Sequence, residues 1–93
     1  MTDPVYAVDP PSARLAVPLD ALIAVYHRPS GATHLLAAPS PELLDELADG
    51  PADAALLRDR LAAHYDLNGE DDAVGAIAAR MEELVAAGLA WRA

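Results

Sequence analysis

The sequence has no cysteine, no phenylalanine and no lysine, and only one tryptophan among its 93 residues. Without cysteine it cannot form disulfide bonds, a catalytic thiolate or cysteine-ligated zinc. Its apolar runs are shorter than the roughly 18 residues that a membrane-spanning helix needs. The first four residues, Met-Thr-Asp-Pro, also lack the basic-then-apolar order of a secretion signal. We therefore expect a cytoplasmic protein that does not contact membranes.

Apolar residues make up 54% of the chain, mostly alanine, leucine and valine. A chain of this length and apolar content is expected to fold around one modest core, with no room for a second domain. The sequence therefore predicts a single domain over residues 1–93. Residues 1–12 are expected to form an extended N-terminal arm.

Charge is strongly one-sided, with fifteen acidic residues against six arginines and a net charge of −9. Nucleic-acid affinity depends largely on lysine and arginine neutralising phosphates. We therefore expect no nucleic-acid partner. The acidity also helps to keep an alanine- and leucine-rich protein in solution.

A β-hairpin is predicted in the first half of the chain. Residues 22–27, Leu-Ile-Ala-Val-Tyr-His, are rich in β-branched and aromatic residues and predict a strand. Residues 28–31, Arg-Pro-Ser-Gly, carry turn chemistry, and residues 33–36 return as the partner strand. Two shorter fragments, residues 6–8 and 14–17, lie among prolines that confine strands to sheet edges.

Two helices are predicted next. The first begins at residues 40–42, where serine supplies a cap and proline the first helical position, and residues 50–51, Gly-Pro, end it. The second begins near Asp53 and is broken by residues 68–69, Asn-Gly. The residues of these helices predicted to face inward are Leu43, Leu44, Leu47, Leu57, Leu61 and Tyr65.

A third helix is predicted to begin with Asp71 and Asp72 and to end at Gly88. Residues 89–92 could add a short terminal strand or a packing tail. The element order predicts an α+β fold of winged-helix-like type: an antiparallel hairpin or three-stranded sheet, then a three-helix bundle. The predicted buried face of the third helix is Val74, Ile77, Ala78, Met81, Leu84 and Val85.

Three strings carry a family resemblance: Tyr-His-Arg-Pro-Ser-Gly at 26–31, Thr-His-Leu-Leu at 33–36, and Met-Glu-Glu-Leu-Val-Ala-Ala-Gly-Leu at 81–89. With them the chain resembles PqqD-like proteins, the recognition elements of ribosomally made, post-translationally modified peptides (RiPPs). It is similar in particular to the PqqD-related chaperones of HPr-kinase-related (HPr-rel-A) systems. The likeness covers roughly residues 13–90. Residues 37–40, Ala-Ala-Pro-Ser, depart from the Asn-Glu-Thr often found there in PqqD proper.

The resemblance implies a non-enzymatic chaperone that binds a precursor (leader) peptide and presents it to a modifying enzyme or a kinase-related protein. In that family the peptide adds as a strand to an open sheet edge and packs against the last helix. Main-chain hydrogen bonds then give affinity, and pockets at alternate positions give specificity. The residues implied for peptide binding are Thr33, His34, Leu35, Leu36, Ile77, Arg80, Met81 and Leu84.

Other interpretations stay open. The apolar stripe of Ile77, Met81 and Leu84 is also what any core helix shows, and Arg80 could pair with a nearby acid on the surface. A winged-helix regulator could place its third helix in a DNA groove, but Asp71, Asp72, Glu82 and Glu83 make the outer face of that helix acidic. A structural homodimer could pair the strands of residues 33–36 from two copies.

Nothing in the sequence predicts catalysis, a metal site or a cofactor. Adjacent acids such as Glu82 and Glu83 point in different directions on a helix and do not form a two-carboxylate site. The serines have no base nearby in the sequence. Strand alternation is not expected to place His27 and His34 side by side on one face. We therefore expect a protein that is not an enzyme.

Overall fold

A computed structural model describes residues 3–65 and 72–93 of the chain. The first half forms a three-stranded antiparallel sheet of strands β2 (Arg14–Leu19), β3 (Leu22–His27) and β4 (Ala32–Ala37), with β3 in the centre. The turn between β3 and β4 is closed by the Gly31 N–H, which donates to the His27 carbonyl at 2.8 Å. Gly31 has a φ of 72°, a left-handed conformation that suits glycine. The predicted hairpin is confirmed.

Three helices follow: α1 (Ser40–Glu46), continued by a 3-10 turn at Leu47–Asp49, then α2 (Ala54–His64) and α3 (Ala73–Ala86). The α+β class and the order of a sheet before three helices are confirmed, and they are compatible with the winged-helix-like arrangement. The predicted break at residues 68–69 and the predicted helix start at residue 71 lie outside the described residues.

Aspartates cap two of the helices. Asp53 accepts a hydrogen bond from the Leu56 N–H at 2.9 Å, and Asp72 accepts one from the Gly75 N–H at 3.0 Å. Each bond satisfies a main-chain donor that the first helical turn leaves free. The predicted Ser40 cap is wrong, because Ser40 is itself the first helical residue and no side chain caps α1.

The two ends of the chain meet in a second, smaller sheet. Strand β1 (Tyr6–Ala7) pairs antiparallel with β5 (Trp91–Arg92), so residues 89–92 do include a strand. Tyr6 also exchanges two main-chain hydrogen bonds with Ala52, at 2.8 and 3.0 Å. The N-terminal segment, predicted as an extended arm, therefore contributes a paired strand and a buried tyrosine to the fold.

The three-stranded sheet has one buried and one exposed face. On β3, Val25 and His27 are buried, whereas Leu22 and Tyr26 are exposed. Since successive strand residues point to opposite faces, we call the side of Val25 and His27 the inner face and the side of Tyr26 the outer face. The helices lie on the inner face. The buried apolar cluster comprises Tyr6, Val25, Leu43, Leu44, Leu47, Ala52, Ala54, Leu57, Leu61, Ile77, Met81, Leu84, Leu89 and Ala90.

Two residues predicted to face inward are exposed. Tyr65 follows the last residue of α2 in an extended conformation and is 48% exposed. Val74 is 38% exposed because it lies in the first turn of α3, before Ile77, the first residue of that helix in the core. In the part of the chain that the structure describes, no helix has the length and apolar character to cross a bilayer.

A three-residue network fastens the small sheet to α3. The Tyr6 hydroxyl donates to Glu82 Oε2 at 2.6 Å, and Arg92 Nε donates to the same oxygen at 3.2 Å. Burial, together with the Glu82 carboxylate, raises the pKa of Tyr6 to about 12. The hydrogen bonds from Arg92 and Tyr6 lower the pKa of Glu82.

This raised pKa predicts a loss of stability in alkali. Below pH 10 the phenol of Tyr6 is protonated in both the folded and the unfolded protein, so its hydrogen bond contributes fully to stability. Between pH 10 and about 12 the phenol ionises in the unfolded chain but stays protonated in the folded protein. The free energy of unfolding therefore falls as the pH rises through this range. Urea titrations across this range should show a shallower fall for Tyr6→Phe than for wild type. Tyr26→Phe, which alters an exposed tyrosine, should keep the wild-type slope, and equal slopes in all three proteins would contradict the assignment.

Candidate functional site

Strand β4 leaves one edge of the three-stranded sheet unpaired. Within residues 3–65 and 72–93, β4 pairs with β3 alone. Its sequence, Ala-Thr-His-Leu-Leu-Ala, contains no proline, lysine or arginine, which are the residues that usually protect an edge from pairing. We call the unpaired side of residues 32–37 the β4 edge.

The hydrogen bonds of the central strand show which main-chain groups reach the β4 edge. Just beyond β3, the Arg28 N–H donates to the Ala13 carbonyl, on the β2 side, at 2.8 Å. Alternate residues of a central antiparallel strand form main-chain hydrogen bonds to opposite neighbouring strands. Ala24 lies four residues before Arg28, an even number, so its main chain also bonds to β2. Leu35 lies opposite Ala24, so the N–H and C=O of Leu35 point away from the sheet. The same alternation directs the main-chain groups of Thr33 outward.

The opposite edge of the sheet is blocked. Pro18 of β2 lies opposite Ile23, which bonds to β4 by the same alternation. The nitrogen of Pro18 therefore points out of the β2 edge, and it carries no hydrogen to donate. Of the two outer edges, only the β4 edge offers a run of main-chain donors and acceptors without a proline.

The four edge residues predicted for peptide binding divide between the two faces. Thr33 and Leu35 lie on the outer face, and Leu35 is 62% exposed. His34 lies opposite Val25 and Leu36 opposite Ile23, so both are on the inner face, where they are half-buried. A strand added at the β4 edge would meet an apolar side chain on either face.

The residues predicted on the last helix are placed differently. Ile77, Met81 and Leu84 are 4%, 0% and 2% exposed and belong to the core. This agrees with the alternative interpretation that they form the apolar stripe of an ordinary core helix. Arg80 is exposed, and its guanidinium contacts the Glu83 carboxylate at 2.9 Å. The structure therefore gathers the four edge residues on one strand, and it buries three of the four α3 residues below the surface.

Two polar groups near the β4 edge are buried without a hydrogen-bond partner among the described residues: His34 Nε2 and Glu42 Oε2. Buried polar atoms are almost always paired, and an exception calls for an explanation such as a ligand or a bound water. From the sequence, residue 42 was placed only at the start of the first predicted helix. No pattern in the sequence would have indicated more, because the carboxylate becomes buried only through packing of α1.

A cavity of about 240 Å³ lies at the end of β4. Ala38 and Pro39, which directly follow the strand, form one wall, and Leu61 and Tyr65 contribute from α2 and its end. Glu42 also lines this cavity. The site therefore combines an open strand edge with a small apolar cavity that has one carboxylate in its wall.

His27 is the centre of a separate polar cluster. Its Nε2 lies 2.9 Å from Asp9 Oδ2 and its Nδ1 lies 2.8 Å from Ser30 Oγ. The expectation that the serines have no base nearby is therefore wrong for Ser30. The hydroxyl oxygen of Ser30 also accepts a hydrogen bond from the Ala32 N–H at 3.3 Å. A cavity of about 270 Å³ lies beside Asp9, but Ser30 does not line it, so the serine does not face a space that could hold a ligand there. These contacts tie the hairpin turn to the N-terminal segment.

His27 and His34 were not expected to lie side by side on one face, and the structure does place them on one face, although not directly opposite each other. His27 lies opposite Ala32, and His34 lies opposite Val25, two residues before His27. Both imidazoles therefore occupy the inner face as diagonal neighbours. Among residues 3–65 and 72–93, no group of three or more histidine, aspartate and glutamate side chains is placed to hold a metal ion.

Comparisons with known proteins gave no match to this chain among family models, curated proteins or solved structures.

The burial of Met81 predicts a role in stability. Met81→Ala would open a cavity in the core and should lower the free energy of unfolding by about 2–5 kcal/mol. Arg80→Ala, one residue away on the exposed side, removes a surface ion pair and should cost less than about 1 kcal/mol. Chemical denaturation of the two variants measures the difference, and equal losses would contradict the placement of Met81 in the core.

The unpaired nitrogen of His34 predicts that its replacement stabilises the fold. His34→Leu keeps a large side chain on the inner face and removes a buried polar atom, so the free energy of unfolding should rise by about 1 kcal/mol. The same change at His64 should instead destabilise, because it removes the 2.8 Å contact that His64 makes with the buried Glu46 carboxylate. Thermal and urea unfolding of both variants test the pair. A loss of stability in His34→Leu would show that the ring nitrogen has a partner.

Proposed function

We propose that this domain is a peptide-binding chaperone of the PqqD-like kind, working in the cytoplasm. It takes a precursor (leader) peptide as an added strand on the β4 edge and presents it to a modifying enzyme without changing it chemically. One observation carries the proposal: Thr33 and Leu35 direct main-chain donors and acceptors out of an unprotected edge, whereas Pro18 blocks the other edge. The resemblance in residues 26–36 and 81–89 supports it.

Strand addition assigns roles to both faces of the site. The ligand's main chain would exchange hydrogen bonds with Thr33 and Leu35, which gives affinity largely independent of sequence. Its alternate side chains would lie beside Leu35 on the outer face and beside His34 and Leu36 on the inner face. A ligand side chain with a hydrogen-bond donor could reach Glu42, whose buried carboxylate oxygen lacks a partner among the described residues.

The distribution of charge supports a peptide ligand over DNA. Residues 38–93 carry twelve acids and four arginines. The exposed Arg80 of α3, the helix that a winged-helix regulator would use, is paired with Glu83. Binding to a phosphate backbone would require cations on that surface that are free to release counterions.

Calorimetric titration with synthetic peptides, tiled across a candidate precursor and preferably one encoded beside this protein, tests the proposal. We expect saturable binding by one segment of the precursor. Leu35→Pro removes one outward N–H at the β4 edge, and affinity should fall at least about tenfold, since 1.4 kcal/mol corresponds to a factor of ten. Leu35→Val keeps the N–H and an apolar side chain and should bind nearly as well as wild type.

The substitution at Leu35 should leave the fold intact, because β2 already accommodates a proline at the equivalent outward position, Pro18. Circular dichroism and the unfolding midpoint check this before each titration. Undiminished binding by a folded Leu35→Pro variant would refute strand addition. Failure of every tiled peptide to bind wild type would refute the chaperone proposal itself.

A further inference from the structure

The outer face of the three-stranded sheet is apolar and uncovered by the described residues. None of its nine residues is charged, and six of them are large apolar side chains that are 37% to 62% exposed. Isolated exposed apolar residues are ordinary, but a contiguous group of this kind marks an interaction surface. The outer face consists of Leu15, Val17, Leu19, Leu22, Ala24, Tyr26, Thr33, Leu35 and Ala37.

Charge is separated between the two sides of the molecule. Residues 14–37, which form the sheet, contain two arginines and one aspartate, whereas the described residues 38–65 and 72–93 contain nine acids and four arginines. The helices lie against the inner face, so most of the negative charge of the described residues is on the side away from the outer face. Contact through the helices of two copies would bring like charges together, and contact through the outer face would not.

We propose that the outer face is a homodimer interface, in which the sheets of two copies pack face to face about a two-fold axis. Such an interface is self-complementary, because each residue meets the same surface on the partner. Two uncharged apolar faces satisfy this condition without needing opposite charges. The acidic helical layers of both copies would then lie on the outside of the dimer, at their greatest separation.

The shape of the outer face suits sheet-on-sheet packing. Its middle row runs across the strands as Val17, Ala24 and Leu35, which are register partners. Ala24 is smaller than its register partners Val17 and Leu35 on either side. Side chains from a second sheet interdigitate with such a surface when the sheets lie about 10 Å apart.

The area of the outer face is adequate for a weak dimer. Its exposed side chains offer on the order of 600 Å² per copy, so a pair would bury roughly 1,200 Å², the lower limit for specific interfaces. An interface at this lower limit is typical of weak association, so we expect the dimer to form only as the protein concentration rises.

This dimer differs from one made by edge pairing. Edge pairing would occupy the outward main-chain groups of Thr33 and Leu35, whereas face-to-face packing leaves those groups free. The proposed dimer could therefore still accept a peptide on each β4 edge, and it stands whether or not the domain binds one.

Sedimentation equilibrium of the purified full chain, from low micromolar to about 1 mM, tests the inference. Wild type should shift from 9.7 kDa towards twice that mass as concentration rises. Val17→Glu places a charge in the middle row of the outer face and should weaken dimerisation more than about tenfold, because the interface would bury unpaired carboxylates. Val74→Glu makes the same change at an exposed valine of α3 and should dimerise as wild type does.

Wild type that stays at 9.7 kDa across the whole range would overturn the proposal and leave the outer face to a different protein partner. A Val17→Glu variant that dimerises as well as wild type would overturn it in favour of edge pairing. Circular dichroism confirms that each variant is folded, and Leu15→Glu on the same face provides a second variant with the same expected loss.

Discussion

The one-sided burial of strand β3 is the constraint on which the rest of the structure depends. Val25 packs in the core and His27 is buried on the same face, so the alternation of the strand sends Leu22, Ala24 and Tyr26 to the other side. Helices cover only the inner face. A small domain that buries one face of its sheet leaves a second face and two edges to be accounted for. Here Pro18 blocks one edge, and the described residues leave the other edge unpaired and the outer face uncovered.

Local patterns in the sequence predicted most of the elements, because their causes are local. The β-branched run at residues 22–27, the turn at 28–31 and the helix starts marked by Asp53 and Asp72 each depend on neighbouring residues. Positions at helix ends were predicted less well. A helical period identifies which residues share a face, but it does not show where a helix leaves the core, so Tyr65 and Val74 were assigned to the buried side although both are exposed.

Features that depend on register or on distant residues could not be read from the sequence. His27 and His34 share a face because four residues separate His27 from Ala32, and a turn one residue shorter or longer would have reversed the relation. The hydrogen bond from Tyr6 to Glu82 joins residues 76 positions apart, and a periodic pattern of residues does not indicate contacts over such a distance in the sequence. The four edge residues of the candidate site came from the family resemblance, and they share one strand because they are consecutive in the sequence. Glu42 was missed because its burial arises only when α1 packs.

The β4 edge and the outer face belong to one sheet, and this links the two proposed interactions. A peptide added beside β4 becomes a fourth strand, and every second side chain of that strand would extend the outer face next to Leu35. Where those side chains are apolar, the face-to-face interface would grow and the dimer would tighten. Binding free energies are reciprocal, so the dimer would then hold such a peptide more tightly than the monomer does. A peptide with charged residues at the same positions would have the opposite effect, and selectivity for the ligand could thus arise at a surface beyond the edge that first receives it.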